Sequence, residues 1–291
     1  MPSGKTTNIS LVYSIFPEDD DETFNFDVDL KQNWDILDSI IGGIDTQISE
    51  IAIIENYLSK LEISNDLLHP NTKVNIAIGC CMDSTNTTMI NNSSNNIIDL
   101  TINGANGLDA GTKSTTATTY HYFIISGSAG VAGIASLSAT NPELPSGYTY
   151  FRRILSLKHD SSGNIPAFMQ IGDKVIYNNQ TQECNNSGWS SPTILTLNVP
   201  SGVIVYPLLS LFVEALGNSS TQNNIIYGSS VLCPFPRILS NQYMSTSGAA
   251  AEGGSLNISS VIPTNNGQMT FNGTSASVKI YNDGYIDMRG K

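Results

Sequence analysis

The chain has 291 residues, only 13% of them charged, with a formal net charge of -12. The length suits two compact domains plus connecting segments. Residues 1–66 hold 14 of the 25 acidic side chains against Lys5, Lys31 and Lys60, whereas residues 67–291 carry 11 acidic and 10 basic ones. That distribution excludes a basic nucleic-acid face.

The opening MPSGKTTNIS has no apolar stretch and does not read as a signal peptide. Pro2-Ser3-Gly4-Lys5-Thr6-Thr7 ends like a phosphate loop, but it lacks the earlier glycine and the preceding strand that a nucleotide site needs. The run Glu18-Asp19-Asp20-Asp21-Glu22 lacks the alternating ligands and turn glycine of a calcium loop, so it reads as a solvated acidic segment. No metal site is expected there.

Residues 30–62 carry the long helical pattern. Leu37, Ile41, Ile44, Ile48 and Ile51 step by four and three, the rhythm of a coiled-coil seam, and the apolar series continues after a shift at Ile54, Leu58 and Leu61. Isoleucine at both seam positions favours three or four strands over two, which points to a homotrimer. The competing reading is an amphipathic helix folded against its own domain. Gly42 and Gly43 support that reading, because each costs roughly 1 kcal/mol in a helix interior.

From Pro70 the period changes to two. Val74, Ile76, Ile78 and Cys80 share one face, as do Ile98, Leu100 and Ile102. TTYHYFIIS and GVAGIASLS follow as a hairpin across SGSAG. The strand 148–158 starts at the turn Pro145-Ser146-Gly147. Strict alternation puts Thr149, Phe151, Arg153, Leu155 and Leu157 on one face and Tyr150, Arg152, Ile154, Ser156 and Lys158 on the other, so Arg152 and Arg153 point to opposite sides. Both arginines read as partners of neighbouring carboxylates or subunits rather than as chemical groups. A new section begins near Asp173, with two apolar strands around Val199-Pro-Ser-Gly202 and a hairpin signal at Asn282-Asp283-Gly284. The run from Val203 to Leu216 contains Pro207 and Glu214 and falls short of the roughly 20 residues of a spanning helix, so membrane insertion is not expected and the protein reads as soluble.

Catalytic signals are thin. His69, His121 and His159 are too scattered for a metal motif, and His159-Asp160 before Ser161-Ser162 lacks a nucleophile elbow. Cys80, Cys81, Cys184 and Cys233 have no CxxC spacing and read as reduced thiols. Glycoside cleavage needs two carboxylates facing across a substrate, and spacing alone does not pair any. A neutral surface rich in Asn, Ser and Thr with exposed aromatics suits glycan binding, with Trp189 and Tyr243 in polar, loop-like sequence as candidate receptor contacts. The competing reading makes each of them a cap on a core edge. No cofactor is implied.

Taken in order, Asn103-Gly104, Gly107-Leu108-Asp109-Ala110-Gly111, Thr119-Tyr120-His121-Tyr122, ASLSAT at 135–140, LPSGYTY at 144–150 and DSSGN at 160–164 resemble a module of tailed-phage tail-fibre and related virion proteins. NISLVYSIFPEDDD followed by LKQNWDILDSIIG is similar to the particle-proximal start of phage fibre proteins. The resemblance implies a trimeric, β-rich virion appendage without catalytic residues. It is attached to another virion protein through its N-terminus and faces the host with its C-terminal part. The expected fold is therefore mainly β, with an N-terminal helical coiled-coil segment followed by two antiparallel β-rich modules, the distal one sandwich or jelly-roll-like. Residues 1–30 would attach to the virion, 31–66 trimerise, 67–171 form the tail-fibre-like module and 172–291 bind a bacterial surface glycan or protein. A head fibre or capsid decoration protein and a glycan depolymerase are the alternatives.

Overall fold

The computed structural model describes residues 31, 34–43, 55–186, 192–215, 222–235, 237–244, 253–259, 262–273 and 276–289. The chain divides into two compact units, 1–54 and 55–291. The described part of the first unit contains a helix over 34–43, on which Trp34, Leu37 and Ile41 form an exposed apolar stripe. Ile44, Ile48, Ile51 and Ile54 lie outside the described residues.

The second unit is mainly β. Its strands in chain order are β1 (Leu58–Lys60), β2 (Ile63–Asn65), β3 (Lys73–Ile76), β4 (Gly79–Met82), β5 (Met89–Asn92), β6 (Asn96–Asp99), β7 (Gly107–Leu108), β8 (Thr119–Gly127), β9 (Gly130–Ser136) and β10 (Tyr150–Lys158). They continue as β11 (Phe168–Ile171), β12 (Lys174–Asn186), β13 (Thr193–Thr196), β14 (Val205–Ala215), β15 (Gln222–Ser229), β16 (Arg237–Met244), β17 (Gly253–Ser259), β18 (Gln268–Gly273) and β19 (Ala276–Asp287). They build sheets in the orders β1-β4-β5, β2-β3-β6, β10-β8-β9-β7, β11-β12-β19-β14-β17 and β13-β18-β15-β16. Among the described strand pairs, only β7 with β9 is parallel.

The helical expectation fails in its last turns. Leu58 begins β1, and Leu61 is wholly buried with φ 60 directly after Lys60 at φ 61. Two consecutive left-handed residues are incompatible with a right-handed helix. They interrupt the extended chain between Leu58 and Ile63, so that all three side chains meet the core. The resulting spacing of three imitates a helical period. Leu58 and Leu61 therefore belong to the β unit rather than to a helical seam.

The hairpin of β8 and β9 is present, with Gly127 opposite Gly130. The turn at 145–147 is present too: the Tyr148 amide donates to the Pro145 carbonyl at 3.1 Å, with Gly147 at φ 86 where such a turn needs a positive value. Along β3 and β6 the alternation holds for Val74, Ile76, Ile98 and Leu100, all buried, but Ile78 and Ile102 are exposed beyond the strand ends. On β10 the alternation slips. Arg153 pairs with Phe123 and Leu155 with Tyr122, leaving Ile154 as a bulge. Beyond it, Leu155 and Leu157 share the Arg152 side, and Ser156 joins Arg153 on the other.

The Asn282-Asp283-Gly284 hairpin is replaced by a continuous strand. β19 passes through this point between β12 and β14, and Asp283 is the residue its partners skip. Gly284, at φ 144, lies so close to β12 that an added Cβ would stand 2.0 Å from the Val175 carbonyl oxygen. The turn residues thus mark a bulge and a close backbone approach. β13 and β14, on either side of the Val199–Gly202 turn, belong to different sheets. One apolar core runs without a break from Leu61 to Tyr285, and β11, on the near side of the boundary expected at 171/172, is an edge strand of the five-stranded sheet.

Gly284→Ala is expected to lower stability by at least about 2 kcal/mol, from backbone strain plus the clash. Urea denaturation of the purified protein measures it.

Candidate functional site

A cleft of about 640 Å³ opens along β10, the edge strand of its sheet. Phe123, Phe151, Val203, Ile204, Tyr206 and Met288 supply apolar surface, and Asn56, Ser84 and Thr140 supply neutral polar groups. Arg152 and Arg153 complete the wall, and among the described residues no carboxylate lies on it. An edge strand is accessible from both faces of its sheet, so residues of opposite parity can border one cavity there.

The outer edge of β10 is capped by two side chains and a loop amide rather than by another strand. The Ser156 amide donates to the Asp287 carboxylate at 3.1 Å, the Tyr285 hydroxyl donates to the Ser156 carbonyl, and the Ser84 amide donates to the Phe151 carbonyl at 2.8 Å. Asp287, fully buried, also accepts from Arg153 Nη1 at 2.6 Å and from the Arg289 amide at 2.9 Å. Arg289 reaches Asp173 through Nε at 2.8 Å and the Lys60 carbonyl through Nη1 at 2.9 Å. The end of β19 thereby ties β10, the start of β12 and the left-handed turn after β1 together.

Arg153 is thus held by an ion pair, as its sequence context suggested, whereas Arg152 donates through Nη1 to the Asn56 side-chain oxygen at 3.1 Å. Burial pulls the Arg152 guanidinium below its ordinary range, with Arg153 adding to that direction. Arginine stays charged under such perturbation.

Ser156, His121 and Asp287 lie together without forming a nucleophilic triad. Ser156 Oγ accepts from Arg153 Nη1 at 2.8 Å and lies 2.8 Å from His121 Nδ1. The hydroxyl and Nδ1 of the imidazole share one hydrogen bond, and the Asp287 carboxylate is spent on Arg153 and two backbone amides. Burial lowers His121 to about 4, and Arg153 presses the same way while Asp287 opposes. His159 is also lowered to about 4, chiefly by burial. Its Nδ1 donates to the Gly163 carbonyl at 3.2 Å, which leaves Nε2 to accept from the Tyr122 hydroxyl at 2.9 Å.

The remaining carboxylates are largely spent on local structure. Asp160 accepts from the Ser162 and Asn164 amides at 2.9 and 2.8 Å and shapes the DSSGN turn. Asp83 is buried, which alone would raise its carboxyl, yet hydrogen bonds from Thr85, Thr87 and Thr88 outweigh this and hold it low. Burial raises Glu183 against the hydrogen bond from the Asn198 amide. Among the described residues no group of three or more His, Cys, Asp or Glu is arranged to hold a metal ion.

Of the predicted receptor contacts, Trp189 lies outside the described residues. Tyr243 is on β16 opposite Asn223, with its side chain outside the described set. Sequence reasoning missed Asn56, Ser84, Tyr206 and Met288, which come from four distant segments. The adjacent arginines were the one local signal.

The chain matches no protein-family model, and no curated protein matches it.

Asp287→Ala is expected to cost about 3–5 kcal/mol, because it strands a buried guanidinium and two amides. Arg153→Met combined with Asp287→Ala should cost at least about 1 kcal/mol less than the sum of the singles; a double-mutant cycle in urea measures this. The two histidines set a pH dependence. Between about 6.5 and 4 the unfolded chain binds more protons than the folded one, so their contribution is complete above the unfolded value and is lost as pH falls through this window. Each contributes a slope of up to about 1.4 kcal/mol per pH unit. Denaturation midpoints between pH 7.5 and 4.5 should fall less steeply for His121→Gln than for the parent.

Proposed function

We propose that the protein is a structural component of a tailed-phage particle, a homotrimeric tail fibre whose β-rich part binds a glycan or protein of the bacterial surface. The observation that carries this reading is the cleft: aromatic and aliphatic walls, neutral hydrogen-bonding groups and two arginines, with no carboxylate pair facing across it among the described residues. Such a site suits recognition, whereas glycoside cleavage needs two opposed carboxylates. The order of motifs from Asn103 to Asp173 supports the virion context.

The exposed stripe of Trp34, Leu37 and Ile41 supports trimerisation, since an apolar helix face of this spacing is stable in water only when covered. In this reading residues 1–30 attach to a neighbouring virion protein, and the five-stranded sheet, with β11 at its near edge, forms a sandwich-type distal module with the sheet β13-β18-β15-β16. Three copies raise weak single-site affinity through avidity. The protein is made in the host cytoplasm, acts on the particle without a cofactor, and contacts neither nucleic acid nor the membrane interior.

The assembly is expected to sediment at three times the chain mass of 31.2 kDa. Ile41→Asp, on the exposed stripe, should yield monomers whose β unit keeps its circular-dichroism signature. Gold-labelled antibody against residues 172–291, viewed on intact particles, should decorate the tail. Label over the head would replace this reading with a head fibre or decoration protein, and release of reducing ends from host polysaccharide would replace it with a depolymerase.

A further inference from the structure

We infer that Asn266 is a site of spontaneous deamidation, set apart by its turn from the other Asn-Gly steps of the chain. In this reaction the backbone nitrogen of the following residue attacks the side-chain carbonyl carbon. A C–N bond forms, the amide proton is lost and ammonia leaves, which gives a five-membered imide. Water then opens either C–N bond of the imide, to aspartate or to isoaspartate, and is the one co-reactant. The inference does not depend on the reading of the protein as a virion component.

Asn-Gly stands at 103–104, 106–107, 266–267 and 272–273. Glycine lets the ring close because no side chain is in the way. The attacking amide must also give up its proton, and an amide that already donates has a hydrogen bond to break first. The Gly104 amide donates to the Leu108 carbonyl at 2.7 Å, and the Gly107 amide to the Gly104 carbonyl at 2.9 Å. Asn272 and Gly273 lie in β18, extended against Tyr227 and Ile226 of β15. The Gly267 amide, in the turn before β18, donates no hydrogen bond among the described residues.

The Asn266 side chain is also the better electrophile. Its Oδ1 accepts from the Gln268 amide at 2.9 Å and lies 3.1 Å from the Thr264 hydroxyl, which reaches the Gln268 carbonyl at 3.1 Å as well. Thr264 has a single proton to give, and it goes to the stronger acceptor. During the attack that acceptor becomes Oδ1, where negative charge builds, so the hydroxyl stabilises the transition state more than the ground state. Thr264 is buried, which strengthens this interaction, whereas Asn266 is exposed and water reaches the imide. The product bears on the cleft. The Asn265 carbonyl accepts from the Gly202 amide and the Gly267 carbonyl from the Leu197 amide, both at 2.8 Å. Isoaspartate inserts an extra backbone carbon between these two anchors, and Val203 and Ile204, next after Gly202, line the cleft.

The purified full-length protein is held in mildly alkaline buffer made with heavy-oxygen water, and peptide mapping by mass spectrometry follows all four steps with time. In the folded protein Asn266 should convert at least about tenfold faster than Asn103, Asn106 or Asn272, a margin within what one transition-state donor supplies. In urea the four rates should converge, because the fold no longer distinguishes them. Thr264→Val should slow Asn266 about tenfold and leave Asn103 and Asn106 unchanged, and Thr264→Ser should keep the parent rate. Conversion at any other step as fast as at Asn266, no conversion at Asn266, or an Asn266 rate untouched by Thr264→Val overturns the inference. If Thr264→Val raises all four rates it has loosened the fold, and the comparison of sites in the parent protein then decides.

Discussion

Asp287 sits fully buried at the end of β19, where its carboxylate receives the Arg153 guanidinium, the Ser156 amide and the Arg289 amide. A lone carboxylate in that position would be costly, and its three donors make burial tolerable. The arrangement also resolves a second difficulty. An edge strand exposes unpaired backbone groups, and here Asp287 and Tyr285 take up both the amide and the carbonyl of Ser156. The five-stranded sheet is thereby fastened to the β10 edge through side chains, without a shared ladder at that point.

The cleft inherits its chemistry from this fastening. With Arg153 held against Asp287 and Ser156, and Arg152 against Asn56, both arginines are fixed in the wall of a largely apolar cleft. The same hydrogen bonds turn the Asp287 carboxylate to Arg153 and two backbone amides, not to the His121 ring. The proximity of Ser156 and His121 to an aspartate is a structural network that resembles a triad only in its residue types.

Local signals in the sequence were faithful where the structure is local. The β8–β9 hairpin and the turn closed by Tyr148 each depend on residues within a few positions of one another. Reading failed where a distant partner overrode the local pattern. Lys60 and Leu61 adopt left-handed conformations beneath Arg289, which converts a helix-like spacing into a strand break. The Ile154 bulge reverses the parity of β10, so Ser156 joins Arg153 where alternation had placed it with Arg152. Asn282-Asp283-Gly284 carries residues suited to a hairpin, yet β12 and β14 flank it on both sides and keep it extended. The cleft was illegible for the same reason: Asn56, Ser84, Tyr206 and Met288 have no common sequence signature, and only the fold brings them together.

The placement of β19 has a consequence for how the molecule comes into being. β12 ends at Asn186 and β14 at Ala215, but the strand that joins them begins at Ala276. During synthesis both strands therefore emerge with a bare long edge, and no amount of local folding can close the gap between them. Pairings of such long sequence separation form slowly and leave adhesive edges exposed meanwhile. A chain interrupted before residue 276 would possess most of the sheet's residues and none of its centre, and would also lack the aspartate that seals β10. Completion of the five-stranded sheet consequently waits for its last strand, so the order of synthesis runs against the order of the sheet.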